Sequence, residues 1–219
     1  DPETIVTYSV ACPIDHKELV RARELGLTIK KYNEIVGDIT NMFETMGVSG
    51  THGKTTTTSI IRHILEKTVG CNYFVGSGDG KVTKDNKYFV IESDEFNRHF
   101  LAYHPTYSII TNIEKEHMEC YSDIDDIRNT FENFVNKTKN FAVVCGDNEE
   151  IRKINYTSKV YFYGFNDNND IIIKNLELSN TGSSFDLYLG DELYGSFNIP
   201  LYGKHMVLNN IYANNYDEN

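Results

Sequence analysis

The chain has 219 residues, 40% of them apolar and 12% aromatic, enough to bury one full core and part of a second. Its net charge of -11, with 21 Lys and Arg scattered along the sequence, argues against a nucleic-acid partner. No apolar run approaches the ~20 residues of a membrane span, and no signal-peptide core precedes the first polar residues. Cys12, Cys71, Cys120 and Cys145 show no C-x-x-C spacing, which predicts free thiols in a reducing cytosol and no zinc site. The chain begins at Asp1 and not at a methionine, so a piece of a longer protein is expected.

Residues 5–12 read as a buried strand, and 15–25 as a helix with Leu19, Val20, Ala22 and Leu25 on or near one face, closed by Gly26. A short strand at 27–31 and a helix at 32–44, with Ile35, Ile39 and Phe43 at helical spacing, complete a β-α-β-α piece without a beginning. Thr45 to Ser49 then reads as a strand, Lys54 to Lys67 as a helix facing a sheet with Ile60, Ile61, Ile64 and Leu65, and Cys71 to Val75 as a strand. Gly76-Ser-Gly-Asp-Gly80 reads as a flexible turn, because neither a Lys-Ser/Thr pair nor a long helix follows it. The apolar strand Tyr88–Glu92 delivers Glu92-Ser-Asp-Glu95 at its C-terminal end, and Tyr107–Asn112 leads into a segment bearing Glu116, His117 and Glu119. For Asp94 and Glu95 the competing reading is a solvated acidic turn. Residues 123–137 have Ile124, Ile127, Phe131 and Phe134 spaced for a packed helix, and two further strands are expected at 141–145 and 160–165. From Asp170 the pattern alternates, with turns at Asn180-Thr-Gly and Gly190-Asp-Glu, which predicts an antiparallel meander flanking a parallel sheet.

The chemistry is concentrated in Gly47-Val-Ser-Gly-Thr-His-Gly-Lys-Thr-Thr-Thr-Thr58. A polyphosphate needs several backbone N–H donors, a helix N-terminus behind them and no Cβ in the way, and Gly50 and Gly53 meet the last need. Lys54 is placed to lie against the terminal phosphates and the Thr55 hydroxyl to hold the accompanying Mg²⁺. The strict phosphate-loop consensus wants a glycine where Val48 stands, so the generic motif is met in part. An ordinary glycine-bearing strand-to-helix turn is the bland alternative; the apolar run before the loop and the amphipathic pattern after it favour the cradle.

Gly50-Thr-His-Gly-Lys-Thr-Thr56 resembles the ATP-binding loop of the Mur ligases, ATP-dependent amide ligases of bacterial peptidoglycan synthesis. His52 is similar to the residue found in the branches that add L-alanine to UDP-N-acetylmuramate or recycle murein tripeptide, where folylpolyglutamate synthases tend to carry Asn. The resemblance implies an α/β fold: a phosphate-loop central ATPase domain, mostly parallel with a small antiparallel meander, preceded by a partial Rossmann-like domain. It makes residues 1–44 the C-terminal part of a UDP-binding domain and 45–219 the central ATP-binding domain, with the amino-acid-binding C-terminal domain absent. ATP and Mg²⁺ are the implied cofactors, UDP-N-acetylmuramate and L-alanine the small-molecule partners, and the cytoplasm the location, with neither membrane nor nucleic acid involved. The implied catalytic residues are Lys54, Glu92 and His117; the metal is held by Thr55, Glu92 and His117. The nucleotide falls to Gly50, Thr51, His52, Gly53, Lys54, Thr55, Thr56, His205 and Asn209. Three departures stand out: Glu116 and Glu119 replace the usual aspartates, and Met206 takes the place of an asparagine in the family's Gly-x-His-Asn segment. Tyr121 to Asn136 contains no lysine, which fits the alanine-adding branch, whose relatives carry a modified lysine there. The rival readings are the tripeptide-recycling ligase and a nucleotide-binding module without ligase chemistry; a guanine-reading Asn/Thr-Lys-x-Asp motif is missing.

Overall fold

The computed structural model describes residues 1, 3–76 and 78–214, with the side chains of 212–214 outside the description. The chain opens with a two-stranded parallel sheet of β1 (Ile5–Tyr8) and β2 (Thr28–Lys31), joined by α1 (Lys17–Glu24), which buries Leu19 and Ala22. β1 is shorter than the 5–12 expected and alternates between exposed and half-buried. A strand is buried on both faces only inside a sheet covered from both sides, and β1 has one partner. The next helix, α2 (Tyr32–Thr40), also stops short of residue 44. The chain must turn there, because Glu44 already pairs with Tyr88 in the main sheet.

That sheet has ten strands in the order β12-β11-β10-β9-β8-β7-β3-β6-β4-β5. In chain order they are β3 (Glu44–Ser49), β4 (Cys71–Phe74), β5 (Gly80–Lys81), β6 (Tyr88–Glu92), β7 (Tyr107–Ile110), β8 (Phe141–Cys145), β9 (Lys159–Gly164), β10 (Ile171–Ser179), β11 (Gly182–Leu189) and β12 (Glu192–Ile199). All neighbours from β4 to β10 pair in parallel. Their apolar runs, such as Phe89-Val-Ile and Ala142-Val-Val, are what a sheet covered on both faces demands. The helices are α3 (Lys54–Thr68), α4 (Ile124–Val135), α5 (Glu149–Arg152) and α6 (Lys204–Asn214), with a kinked 3₁₀ segment at Phe96–Ala102. Phe100 of that segment, fully buried, stacks on Phe134 of α4 at 4.5 Å and meets Phe131 edge-on at 5.3 Å.

The meander is continuous with the parallel sheet, where the sequence suggested a flanking unit. Ile171 and Ile172 of β10 pair in parallel with β9 on one side and antiparallel with β11 on the other, and the strand continues along β11 to Ser179. A bulge between Lys174 and Glu177, with Asn175 at φ 52°, interrupts β10 within its antiparallel pairing with β11. The consequence for the site lies at β3. Its two neighbours are β6 on one side and β7 on the other, and the C-terminal ends of all three open on one crevice.

Candidate active site

The Gly50–Gly53 loop leaves the end of β3 and is fastened to the end of β7. Thr51 N–H donates to Asn112 O at 3.0 Å, His52 N–H to Asn112 Oδ1 at 2.8 Å, and Thr111 Oγ1 to His52 O at 2.6 Å. Thr51 Oγ1 accepts in turn from Glu114 N–H at 2.9 Å. Gly50 and Gly53 sit at φ 139° and 83°, a region that favours glycine. A Cβ at Gly53 would come within 2.7 Å of Asn209 Oδ1, so α6 closes one side of the loop. No side chain caps α3, and its first-turn N–H groups are left for an anion.

Lys54 and Thr55 then part company. The hydroxyl of Thr55 donates to Glu92 Oε1 at 3.1 Å, and Glu92 Oε2 accepts from Gly76 N–H at 2.8 Å. Gly76 has to be glycine for this, since a Cβ there would lie 2.6 Å from Glu92 Oε1. The Lys54 ammonium instead donates to Gly50 O at 2.6 Å and to Glu95 Oε1 at 2.9 Å. Glu95 is 3% exposed, and its Oε2 has no hydrogen-bond partner among the described residues. Burial pushes its carboxyl up from the ordinary glutamate range, against the pull of Lys54.

His117 joins the site through Glu95. Its Nε2 lies 3.8 Å from Glu95 Oε1, and its ring meets Phe96 edge-on at 5.2 Å. Ligand atoms of Glu95, Glu116 and His117 all lie within 4.8 Å of one another, whereas Glu119 approaches only the other ring nitrogen of His117, at 3.6 Å. Thr55 and Glu92 form one group of donors and Glu95, Glu116 and His117 another; their oxygens suit a hard divalent cation such as Mg²⁺, and the unpartnered Glu95 oxygen is the kind of atom such an ion satisfies. His52 stays at the exposed rim, 3.7 Å from Glu114. His205 is exposed beside Gly203, and among the described contacts none brings it to the loop. Thr56, with Ser59 and His63 of α3 and Leu201, Met206 and Asn210, borders a groove of about 710 Å³ next to the loop.

Glu95 and Arg98 are the residues that sequence reasoning underrated or missed. Arg98 grips both carboxylate oxygens of Asp126 at 2.8–2.9 Å, donates to Cys120 O at 2.9 Å and lies over the Tyr121 ring at 4.7 Å. Tyr121 donates to the Glu95 carbonyl at 2.5 Å. These contacts tie the segment after β6 to the segment after β7, and they depend on left-handed backbone at Asn97, Arg98 and His117 (φ 49°, 58° and 55°). No periodicity signals such a conformation in residues other than glycine.

The sequence profile of the Mur ligase middle domain matches residues 48–215. The chain is 44% identical over 195 residues to a UDP-N-acetylmuramate–L-alanine ligase of Lacticaseibacillus paracasei, covering 89% of this chain and 45% of that protein. It is 40% identical over 209 residues to the same-named ligase of Ligilactobacillus salivarius, covering 95% of this chain and 47% of that protein. The chain thus spans about half the length of these curated relatives. Among solved structures, the UDP-N-acetylmuramate–alanine ligase of Thermotoga maritima superposes with a TM-score of 0.77 at 24% identity, covering 94% of this chain and 48% of that one. A UDP-N-acetylmuramate:L-alanyl-gamma-D-glutamyl-meso-diaminopimelate ligase from Neisseria meningitides also reaches a TM-score of 0.77, at 21% identity, with 94% and 70% covered. At these identities the structural matches speak for the fold, which is α/β with a mostly parallel sheet.

Proposed function

Since the chain belongs to the Mur ligase family, we propose that it is the nucleotide-binding part of an ADP-forming ligase that joins L-alanine to UDP-N-acetylmuramate in peptidoglycan synthesis. The observation that carries this reading is the pair of contacts between the start of α3 and the segment ending β6, Thr55 Oγ1 on Glu92 and Lys54 Nζ on Glu95. The relatives at 40–44% identity, all named for alanine, favour that acceptor over a murein tripeptide.

In this reading the loop N–H groups and the first turn of α3 hold the phosphates of ATP, and the groove beside Met206 takes the nucleoside. Lys54 follows the γ-phosphoryl group and neutralises the charge that develops as it moves to the muramoyl carboxylate, giving an acyl phosphate that the alanine amine attacks. Thr55, Glu92 and His117 would hold Mg²⁺, which when bound would supply Lewis-acid neutralisation of the phosphate oxygens. Among the described residues no helix is long and apolar enough to cross a membrane, and a cytoplasmic location accords with the substrates.

Calorimetry on the chain and a phosphate-release assay on the full-length protein test the proposal together. The chain should bind Mg-ATP weakly and show no alanine-dependent turnover alone, because acyl transfer needs both reactants held in line, worth ~7–11 kcal/mol of barrier. Absence of ATP binding would sink the nucleotide assignment. Phosphate release that depends on murein tripeptide and not on alanine would replace the acceptor.

A further inference from the structure

Lys54 and a divalent cation have claims on the same carboxylate. Oε1 of Glu95 accepts from the Lys54 ammonium at 2.9 Å and lies 3.8 Å from His117 Nε2, Oε2 is buried and without a partner among the described residues, and the carboxylate is one of the three groups clustered with Glu116 and His117. A cation seated among those three ligands would stand a few ångströms from the ammonium, in a place where water screens little, because the Lys54 and Glu95 side chains are 14% and 4% exposed. The two positive charges therefore exclude one another. Lys54 is also held by Gly50 O at 2.6 Å, so its nitrogen already lies at the mouth of the loop, and an anion there can draw it off by side-chain rotation alone.

We propose that Glu95 is an exchange point: a divalent cation is admitted to Glu95, Glu116 and His117 only when an anion on the loop has drawn Lys54 away from Glu95. The exchange deepens the nucleotide reading above and rests on it for the identity of the anion. It sets an order of filling, the phosphate-bearing ligand first and the cation second. It also explains an otherwise costly feature, a buried carboxylate oxygen left without a donor. Glu95 acts here as a positioning residue for Lys54 and a ligand for the cation in turn.

The test uses the full chain with Mn²⁺ as the probe, counted by electron paramagnetic resonance in the absence of nucleotide. Lys54→Met should bind Mn²⁺ on the order of tenfold more tightly than the unaltered chain, and adding Glu95→Gln to Lys54→Met should abolish the gain. Equal Mn²⁺ affinity in the unaltered chain and Lys54→Met, with melting curves showing both folded, overturns the exchange. Where Lys54→Met does not fold, the comparison moves to chain loaded with a non-hydrolysable ATP analogue: the unaltered chain should take up one Mn²⁺ more than Glu95→Gln, and equal uptake overturns the proposal. A chain that fails to bind the analogue by calorimetry removes the nucleotide reading, while the nucleotide-free comparison still decides the exchange.

Discussion

Lys54 is the counter-ion of a buried acid and, in the proposed reading, also the cation that meets an incoming phosphate. Removing it leaves Glu95 without its counter-ion in a water-poor place, so Lys54→Ala should lower stability by ~3 kcal/mol as well as abolish ATP turnover. The double variant Lys54→Ala/Glu95→Gln should recover much of that stability and none of the turnover. Urea unfolding checks the first expectation, and a double variant no more stable than the single one would show that the pair is not the source of the loss. Gly76→Ala makes a complementary case. Its Cβ would push Glu92 off Thr55, so the affinity for Mg-nucleotide should fall on the order of tenfold while the melting temperature holds. Lys54, Thr55 and Glu92 could be read from the sequence because a glycine-rich turn and an apolar strand fix where each stands. Glu95 could not. Its burial depends on the left-handed turn at Asn97 and Arg98, and three acids in four residues look the same whether solvated or enclosed.

Between elements, the join that matters most is Arg98 to Asp126, which fastens the 3₁₀ segment to the start of α4. The Asp126 carboxyl is held below the ordinary aspartate range by the Ser122 N–H and by Arg98. A carboxyl depressed in the folded state contributes stability that is present above its unfolded pKa of about 4 and is lost as pH falls through the lower folded value. Asp126→Asn should therefore be less stable than the unaltered chain at neutral pH, and the difference should shrink as pH falls below about 4. Melting temperatures across that range check it; a gap that stays constant would assign the loss to packing. The cysteines offer a simpler check. Burial pushes the Cys71 thiol up to about 11, and Cys145 is raised for the same reason, so both should resist alkylation at pH 8 that modifies the more accessible Cys12 and Cys120.

At the scale of the whole molecule, the parallel core was legible because a strand buried on both faces has to be apolar throughout, as at Phe89-Val-Ile. The boundary near residue 44 came from a resemblance and not from any pattern of residues, and the contacts across it are made by α2 and Phe43 over chain distances that no local pattern reports. Val36 belongs to the core of the main sheet, Thr40 Oγ1 accepts from His104 N–H at 3.0 Å, and Phe43 meets Phe89 edge-on at 5.9 Å. A chain starting at residue 32 should accordingly melt close to the unaltered chain, whereas one starting at residue 44 should lose several degrees; thermal denaturation of the two separates them.

The placement of β3 also governs the order in which the molecule assembles itself. The hairpins of the meander close locally, Ser179 against Gly182, whereas β3 finds its partners far along the chain, Val48 against Glu92 and Ser49 against Ile110. Long loops must be closed before those parallel pairings reward the ordering of the chain, so pairings of this kind form slowly. The Gly50–Gly53 loop is carried on the end of β3 and braced by the end of β7. In a refolding experiment, hairpin signals should thus return first, and the capacity to bind nucleotide should return with the slowest phase.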